Sequence, residues 1–316
     1  MIFYFSGTGN TRWAAEHLAA ATGERLLFIP EELKGDCRYT LAAGERIGFC
    51  FPTHGWQPPR IVRQFIRRLF LRGQGSMVKG QGLMDKGQLS AQACSLDPSS
   101  PRPQDASTPR RTLRSAQRDA PHLESSHYCY ALTTCGDSIG RTMEILNKEL
   151  AAVGLKASSV FSLTMPESYV CLPFMKTDKP ERECEKIAVA TRELEQYTDL
   201  IVRRVPDVTH THRGLTPWTF SHVIGAYFNA RMITDKPFTV DVDRCIHCGQ
   251  CAKACPTGDV TMKPSQDGAV LPQWLHGGSC TNCLACYHHC PCHAINYGRI
   301  TRQRGQYYFG HGNSYN

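Results

Sequence analysis

The sequence lacks the long hydrophobic segments that membrane and exported proteins carry. No run of about eighteen apolar residues occurs in its 316 residues, which predicts that no segment spans a membrane. The first predicted strand begins at Ile2, and polar Ser6 follows too soon for the apolar region of a signal peptide. We therefore expect a cytoplasmic protein.

The sequence also lacks the motifs of several common functional classes. It has neither the G-K-S/T of a Walker loop nor the G-x-G-x-x-G of a Rossmann turn. No helix-turn-helix and no aromatic-interleaved basic module is evident, which argues against nucleic-acid binding. The net charge of +8 indicates either a basic solvated surface or docking of acidic protein partners.

Cysteine, by contrast, is abundant and unevenly distributed. Nine of the sixteen cysteines fall between Cys245 and Cys292. A secreted disulfide-rich protein is usually shorter and carries an export signal. The clustering therefore indicates a metal centre.

The clustered cysteines form the same pattern twice. Residues 245–256 read C-x2-C-x2-C-x3-C-P, and residues 280–291 repeat this spacing. In two-cluster ferredoxins, the fourth cysteine of each such run binds the cluster of the other run. The predicted ligands are Cys245, Cys248, Cys251 and Cys290 for cluster 1, and Cys280, Cys283, Cys286 and Cys255 for cluster 2.

Zinc is the alternative metal for paired cysteines. A structural zinc site needs four ligands, usually as two separated pairs. A third cysteine at the same interval, with a fourth followed by proline, is better explained by two [4Fe–4S] clusters.

Cys292 is either a substitute ligand or a small loop residue. His247, His288 and His289 either adjust the cluster potentials or are solvent-exposed.

Alternating strand and helix patterns predict the fold of residues 1–205. Apolar, β-prone runs lie at residues 2–6, 25–29, 46–51, 128–134 and 157–163, with helical periodicity between them and over residues 181–205. This order predicts an α/β fold with a doubly wound, parallel, five-stranded sheet.

The remaining segments differ in composition. Residues 73–126 are rich in Gly, Ser, Pro and Gln, which predicts a disordered insertion in which Cys94 is not a ligand. Residues 206–239 are predicted to connect the two halves, with a helix over residues 215–233. A small α+β two-cluster ferredoxin domain is expected at residues 240–298, followed by a tail at residues 299–316.

Three loops follow predicted strands at their carboxyl ends, and the first of them suits a phosphate. In SGTGNT (residues 6–11), glycines let backbone N–H groups turn toward an anion, and the next helix presents its positive end. This loop resembles the FMN-phosphate loop of flavodoxins. Residues 51–59 and 134–138 resemble the other two flavodoxin loops, with Trp56 as the stacking residue and no aromatic residue in the third loop. The implied FMN contacts are Ser6, Gly7, Thr8, Gly9, Asn10, Thr11, Pro52, Thr53, His54, Gly55, Trp56, Thr134, Cys135, Gly136 and Asp137.

A flavodoxin-like domain fused to two bacterial [4Fe–4S] motifs resembles the EFR1-type ferredoxin family of anaerobes. The resemblance covers residues 1–72 and 127–298, and it includes Met165–Tyr169, where Ser168 replaces the asparagine of M-P-x-N-Y. It implies an electron carrier or oxidoreductase that relays electrons between FMN and two clusters for redox partner proteins.

Two other functions remain open from the sequence. One is a flavin-free ferredoxin whose flavodoxin-like domain docks a partner. The other is a redox sensor, which would need a recognition domain that the sequence does not reveal. Five arginines between Arg60 and Arg72 form either a solvated helix face or a patch that attracts acidic partners.

Overall fold

The fold is described here from a computed structural model, which covers residues 1–73, 127–265 and 268–311. Apart from Gly73, the predicted insertion at residues 73–126, with Cys94, lies outside the described residues. No helix within these described ranges is long and apolar enough to cross a membrane.

A six-stranded parallel sheet forms the centre of residues 1–210. Its strand order is β2-β1-β4-β6-β7-β8, and β3 and β5 form a separate parallel pair. In chain order, the strands are β1 (Ile2–Tyr4), β2 (Leu26–Phe28), β3 (Arg38–Leu41), β4 (Ile47–Pro52), β5 (Phe70–Gly73), β6 (Cys129–Cys135), β7 (Ser159–Thr164) and β8 (Thr209–His210).

The prediction of an α/β fold with a parallel sheet is confirmed, but the predicted strand number of five is wrong. The sixth strand, β8, has only two residues, both exposed, which pair with Val160 and Phe161 of β7. A strand this short is too brief to produce a recognisable alternation of polar and apolar residues.

Helices cover both faces of the sheet. On one face, Leu18 of α1 and Leu194 of α5 pack with Phe161. On the other face, Phe65 of α3 and Leu146 of α4 pack with Phe49. Because both faces are buried, the strands are almost continuously apolar. The helices are α1 (Asn10–Thr22), α2 (Ile29–Glu32), α3 (Arg60–Arg68), α4 (Thr142–Ala151) and α5 (Pro180–Val202).

A helical segment links the sheet to the cysteine-rich part. It consists of α6 (Pro217–Thr219), a π-helical turn (Phe220–Ile224), α7 (Gly225–Tyr227) and a second π-helical turn (Phe228–Met232), here called the connecting helix. The π-helical turns widen the helix and often accompany functional sites.

The cysteine-rich part contains two short antiparallel strand pairs and two short helices. Strand β9 (Phe238–Val240) pairs with β12 (Ile295–Tyr297), and β10 (Val260–Pro264) pairs with β11 (Val270–Trp274). Helices α8 (Gln250–Ala254) and α9 (Ala285–His288) pack against each other, and each carries one cysteine of the repeated pattern. A final 3-10 turn covers Ile300–Gln303.

Candidate functional site

Seven of the eight predicted cluster ligands fall into two neighbouring groups. The thiol of Cys251 is within electrostatic range of Cys245 and Cys290. The thiol of Cys286 is within range of Cys255, Cys280, Cys283 and, more weakly, Cys251. The first group therefore combines two cysteines of the first run with the fourth cysteine of the second, and the second group combines three cysteines of the second run with the fourth of the first, the pattern that exchange of fourth ligands predicts.

One small cavity lies among the second group. Its wall includes the four predicted cluster 2 ligands, and the aromatic rings of Phe238 and Trp274 close it on another side. The two rings are stacked, with centroids 5.3 Å apart. The four cysteines in the wall are Cys255, Cys280, Cys283 and Cys286.

The chemistry of these thiols fits a metal cluster. Burial raises the pKa of Cys251 and of Cys283 to about 11, so a bare thiolate is unfavourable at either position. Iron ligation would stabilise the thiolate form. Backbone N–H groups already point at the sulfurs, with Ala294 donating to Cys290 Sγ at 3.2 Å and Asn282 to Cys280 Sγ at 3.4 Å. Such donors stabilise the negative charge of a cluster.

No three Cys, His, Asp or Glu side chains converge on a single ion position within the ranges that the structure describes. A cubane does not require such convergence, because each of its four cysteines binds a different iron.

Cys292 Sγ lies 3.8 Å from Cys290 Sγ, which is close enough for Cys292 to act as a substitute for Cys290 as a ligand.

The two groups differ in exposure. Among the eight predicted ligands, all of them described, only Cys248 is exposed. Its neighbour Ile246 and nearby Val242 are also exposed. The first group therefore reaches the protein surface, whereas Cys283 of the second group faces the sheet.

A larger cavity of about 1010 Å³, including its open side, lies at the carboxyl ends of β1, β4, β6 and β7. Fourteen of the fifteen predicted FMN contacts line it, and Gly9 is the exception. Its walls also contain residues outside the predicted set: Ser138, Pro166, Glu167, Ser168, Tyr169, Leu172, Met175, Phe228, Asn282 and Cys283.

The first loop is shaped as a cradle. Gly9 has φ 96°, a conformation that glycine adopts readily, and precedes the first turn of α1. Its N–H donates to Ser6 Oγ at 3.2 Å. The hydroxyls of Thr11 and Thr134 are 2.7 Å apart, which ties this loop to the third loop.

The connecting helix holds the second loop. Gln57 Nε2 donates to the Ser221 carbonyl at 2.7 Å, and Ser221 Oγ donates to the Trp56 carbonyl at 2.9 Å. Phe228 lies directly against the α-carbon of Gly55. Burial in this loop lowers the pKa of His54 to about 4, so its imidazole is neutral at physiological pH.

Trp56 lines the cavity but also has partners of its own. Its indole N–H donates to Ser138 Oγ at 3.2 Å, and its ring lies 4.6 Å from that of Phe220, centroid to centroid. Trp56 is therefore fixed in place by the connecting helix. Its assignment as the flavin-stacking residue stays a prediction.

The first loop and the cluster-ligand loop are in direct contact. A Cβ added to Gly7 would lie 2.6 Å from Cys283 Cβ, so only glycine allows this approach. Asn282 is anchored on the other side, donating from Nδ2 to the Met232 carbonyl at 3.0 Å. A predicted cluster ligand thus forms part of the wall of the predicted flavin cavity.

Residues 304–311, here called the C-terminal strap, join the two halves. Tyr307 donates its hydroxyl hydrogen to Asn10 Oδ1 at 2.6 Å, and Phe309 N–H donates to the Thr8 carbonyl at 2.8 Å. The Phe309 ring stacks on Trp13 at 5.1 Å. The strap therefore braces the first loop from outside the cavity.

His288 belongs to the same junction, so its interpretation as a solvent-exposed residue is wrong. It is buried, and its Nδ1 accepts from Tyr307 N–H at 3.1 Å. Nε2 must then carry the hydrogen that goes to the Ser168 carbonyl at 2.6 Å. His288 thus links α9, the strap and the loop after β7.

Most of the arginines from the helix α3 segment are bonded within the fold. Arg63 and Arg67 both hold Glu149 of α4, with closest distances of 2.6 Å and 2.9 Å. These guanidinium groups lower the pKa of Glu149. Arg68 donates to the carbonyls of Leu33 and Gly35. This arrangement favours a structural role for these arginines.

Comparison with known protein families gave a match to one part of the chain. The family described as 4Fe-4S binding domain matches residues 238–261, which contain the first cysteine run. The chain therefore carries a ferredoxin-type domain for a [4Fe–4S] cluster, and its chemistry includes iron–sulfur electron transfer. Neither the curated proteins nor the solved structures gave a match to the chain.

Proposed function

We propose that this protein relays electrons between FMN and two [4Fe–4S] clusters on behalf of redox partner proteins. The observation that carries this proposal is the position of Cys283, a predicted cluster 2 ligand that also lines the cavity of the flavin loops and touches Gly7. Electron transfer needs its centres close together, and this contact supplies that closeness.

The cavity has the features that FMN would need. Gly7, Thr8 and Asn10 line the cavity beside the amino end of α1, which suits a phosphate. Without β8 and the separate β3–β5 pair, the strands follow the order 2-1-3-4-5 of flavodoxin-like sheets, which bind their cofactor at this end. FMN, when bound, would exchange two electrons singly, while each cluster carries one.

The exposure of the two cysteine groups suggests the order of the relay. Cluster 1, beside exposed Cys248, would exchange electrons with an external protein. Cluster 2, held partly by Cys283, would pass them to or from the cavity. The protein's own contribution is to fix these distances and to exclude water.

Replacement of a cavity hydroxyl tests the flavin assignment. Thr8→Val keeps the side-chain shape and removes an O–H at the cavity wall. Loss of one hydrogen bond to a charged group costs about 1.5–3 kcal/mol, so FMN should bind roughly 10- to 150-fold more weakly. Fluorescence titration of the apoprotein measures this change, and the iron content should stay constant.

Thr191→Val is the matched control, because Thr191 lies on α5, bonds its own helix and does not line the cavity. Equal FMN affinity in both variants would place the phosphate elsewhere. If purified protein releases no FMN on denaturation and binds none added, the flavin-free docking function takes its place.

A further inference from the structure

A carboxyl group outside the predicted set lies against the third flavin loop. Glu167 follows β7, and its Oε2 occupies the space that a side chain at Gly136 would need. Its Oε1 accepts from Tyr169 N–H at 2.8 Å, which fixes the orientation of the carboxyl group. The carboxyl therefore forms part of the cavity wall directly beside the loop backbone.

A partly buried ion pair holds the backbone of the same loop. Lys186 Nζ donates to the Gly136 carbonyl at 2.9 Å and to Asp178 Oδ2 at 2.7 Å. Asp178 Oδ2 also accepts from Glu167 N–H at 2.8 Å. Lys186 and Asp178 compensate each other, and Glu167 forms no salt bridge within the part of the chain that the structure describes.

The environment of Glu167 raises the pKa of its carboxyl group. Burial is the largest cause; the hydrogen bond from Tyr169 N–H and the charge of Lys186 lower the pKa, and Asp178 raises it. Other buried titratable groups of the cavity are less suited to exchange a proton near neutral pH. Burial lowers the pKa of His54 to about 4, raises the pKa of Cys135 to about 12 and raises the pKa of Tyr169.

We propose that Glu167 is the proton-exchanging residue of the flavin cavity, an inference that rests on the proposed function. Glu167 Oε2 would give one proton to bound FMN when FMN receives two electrons, one from each reduced cluster. The carboxyl O–H bond would break as the proton passes to a flavin nitrogen, and each cluster would be oxidised by one electron. Glu167 would stay as the carboxylate while the flavin is reduced, and it would take the proton back on oxidation.

The pH dependence of the flavin midpoint potential tests this role in the purified full chain. In the wild type, Glu167 would change protonation with the flavin, so a plot of potential against pH should contain a change of slope. Glu167→Gln keeps the acceptor for Tyr169 N–H but cannot titrate, so its plot should lack that change of slope. Glu193→Gln is the matched control, because Glu193 also has a raised pKa but does not line the cavity.

A change of slope that persists in Glu167→Gln would overturn the inference. Absence of FMN from the wild type would instead contradict the proposed function. If Glu167→Gln fails to hold FMN, redox-induced infrared difference spectra of the wild type and of Glu167→Asp test the role of Glu167 instead. Reduction should alter the absorption of a protonated carboxyl group, and this band should shift in Glu167→Asp. No carboxyl change in the wild type would also overturn the inference.

Discussion

At the residue scale, the contact between Gly7 and Cys283 connects the predicted flavin cavity with the predicted site of cluster 2. The first cysteine run could be recognised from the sequence as part of a 4Fe-4S binding domain, because the spacing within a ferredoxin run is local, and the assignment of individual ligands stays a prediction. The contact with Gly7 could not, because it joins residues that are far apart in the chain and leaves no pattern around either of them. Glu167 and Phe228 also line the cavity through tertiary packing.

Gly7→Val should disturb both sites at once. Its Cβ would overlap Cys283 Cβ, so the ligand loop must shift. We expect FMN to be lost and iron to fall from about eight toward about four per chain, since only cluster 2 uses Cys283. Iron and FMN assays of anaerobically purified protein measure both losses.

Thr8→Val provides the comparison, because it should lower FMN binding alone. Full iron content in Gly7→Val would show that the two loops are not packed as described.

At the element scale, the sheet and its long helices follow from the sequence, while the connections do not. Strands such as β6 are continuous apolar runs, and α5 has clear amphipathic periodicity. The C-terminal strap has no such periodicity, because it is held by individual hydrogen bonds and ring contacts. The sequence predicted only a tail there.

Substitutions in the strap should weaken the first loop without removing the clusters. Tyr307→Phe removes the buried bond to Asn10, which should cost about 1 kcal/mol of unfolding free energy. Phe309→Ala removes the stacking on Trp13 and should cost more. Both variants should bind FMN more weakly, as measured by urea unfolding and fluorescence titration.

Tyr308→Phe is the control for the strap, because its ring would still stack on His289 after loss of the hydroxyl. Equal stability and FMN affinity in Tyr307→Phe and Tyr308→Phe would contradict a bracing role for Tyr307.

At the scale of the whole molecule, the net charge of +8 favours acidic redox partners. The rate of electron exchange with an acidic ferredoxin should fall as salt rises from about 0.01 M to 0.15 M, because the Debye length shortens from about 30 Å to 8 Å. Stopped-flow absorbance measures this rate. A rate independent of salt would argue against electrostatic attraction as the basis of docking.

The most direct measurement for the relay as a whole is the joint quantification of iron, acid-labile sulfide, zinc and FMN in protein purified without oxygen. The account predicts about eight irons, about eight sulfides and about one FMN per chain, with negligible zinc. Zinc in place of iron, or iron without FMN under conditions that retain flavin, would contradict it.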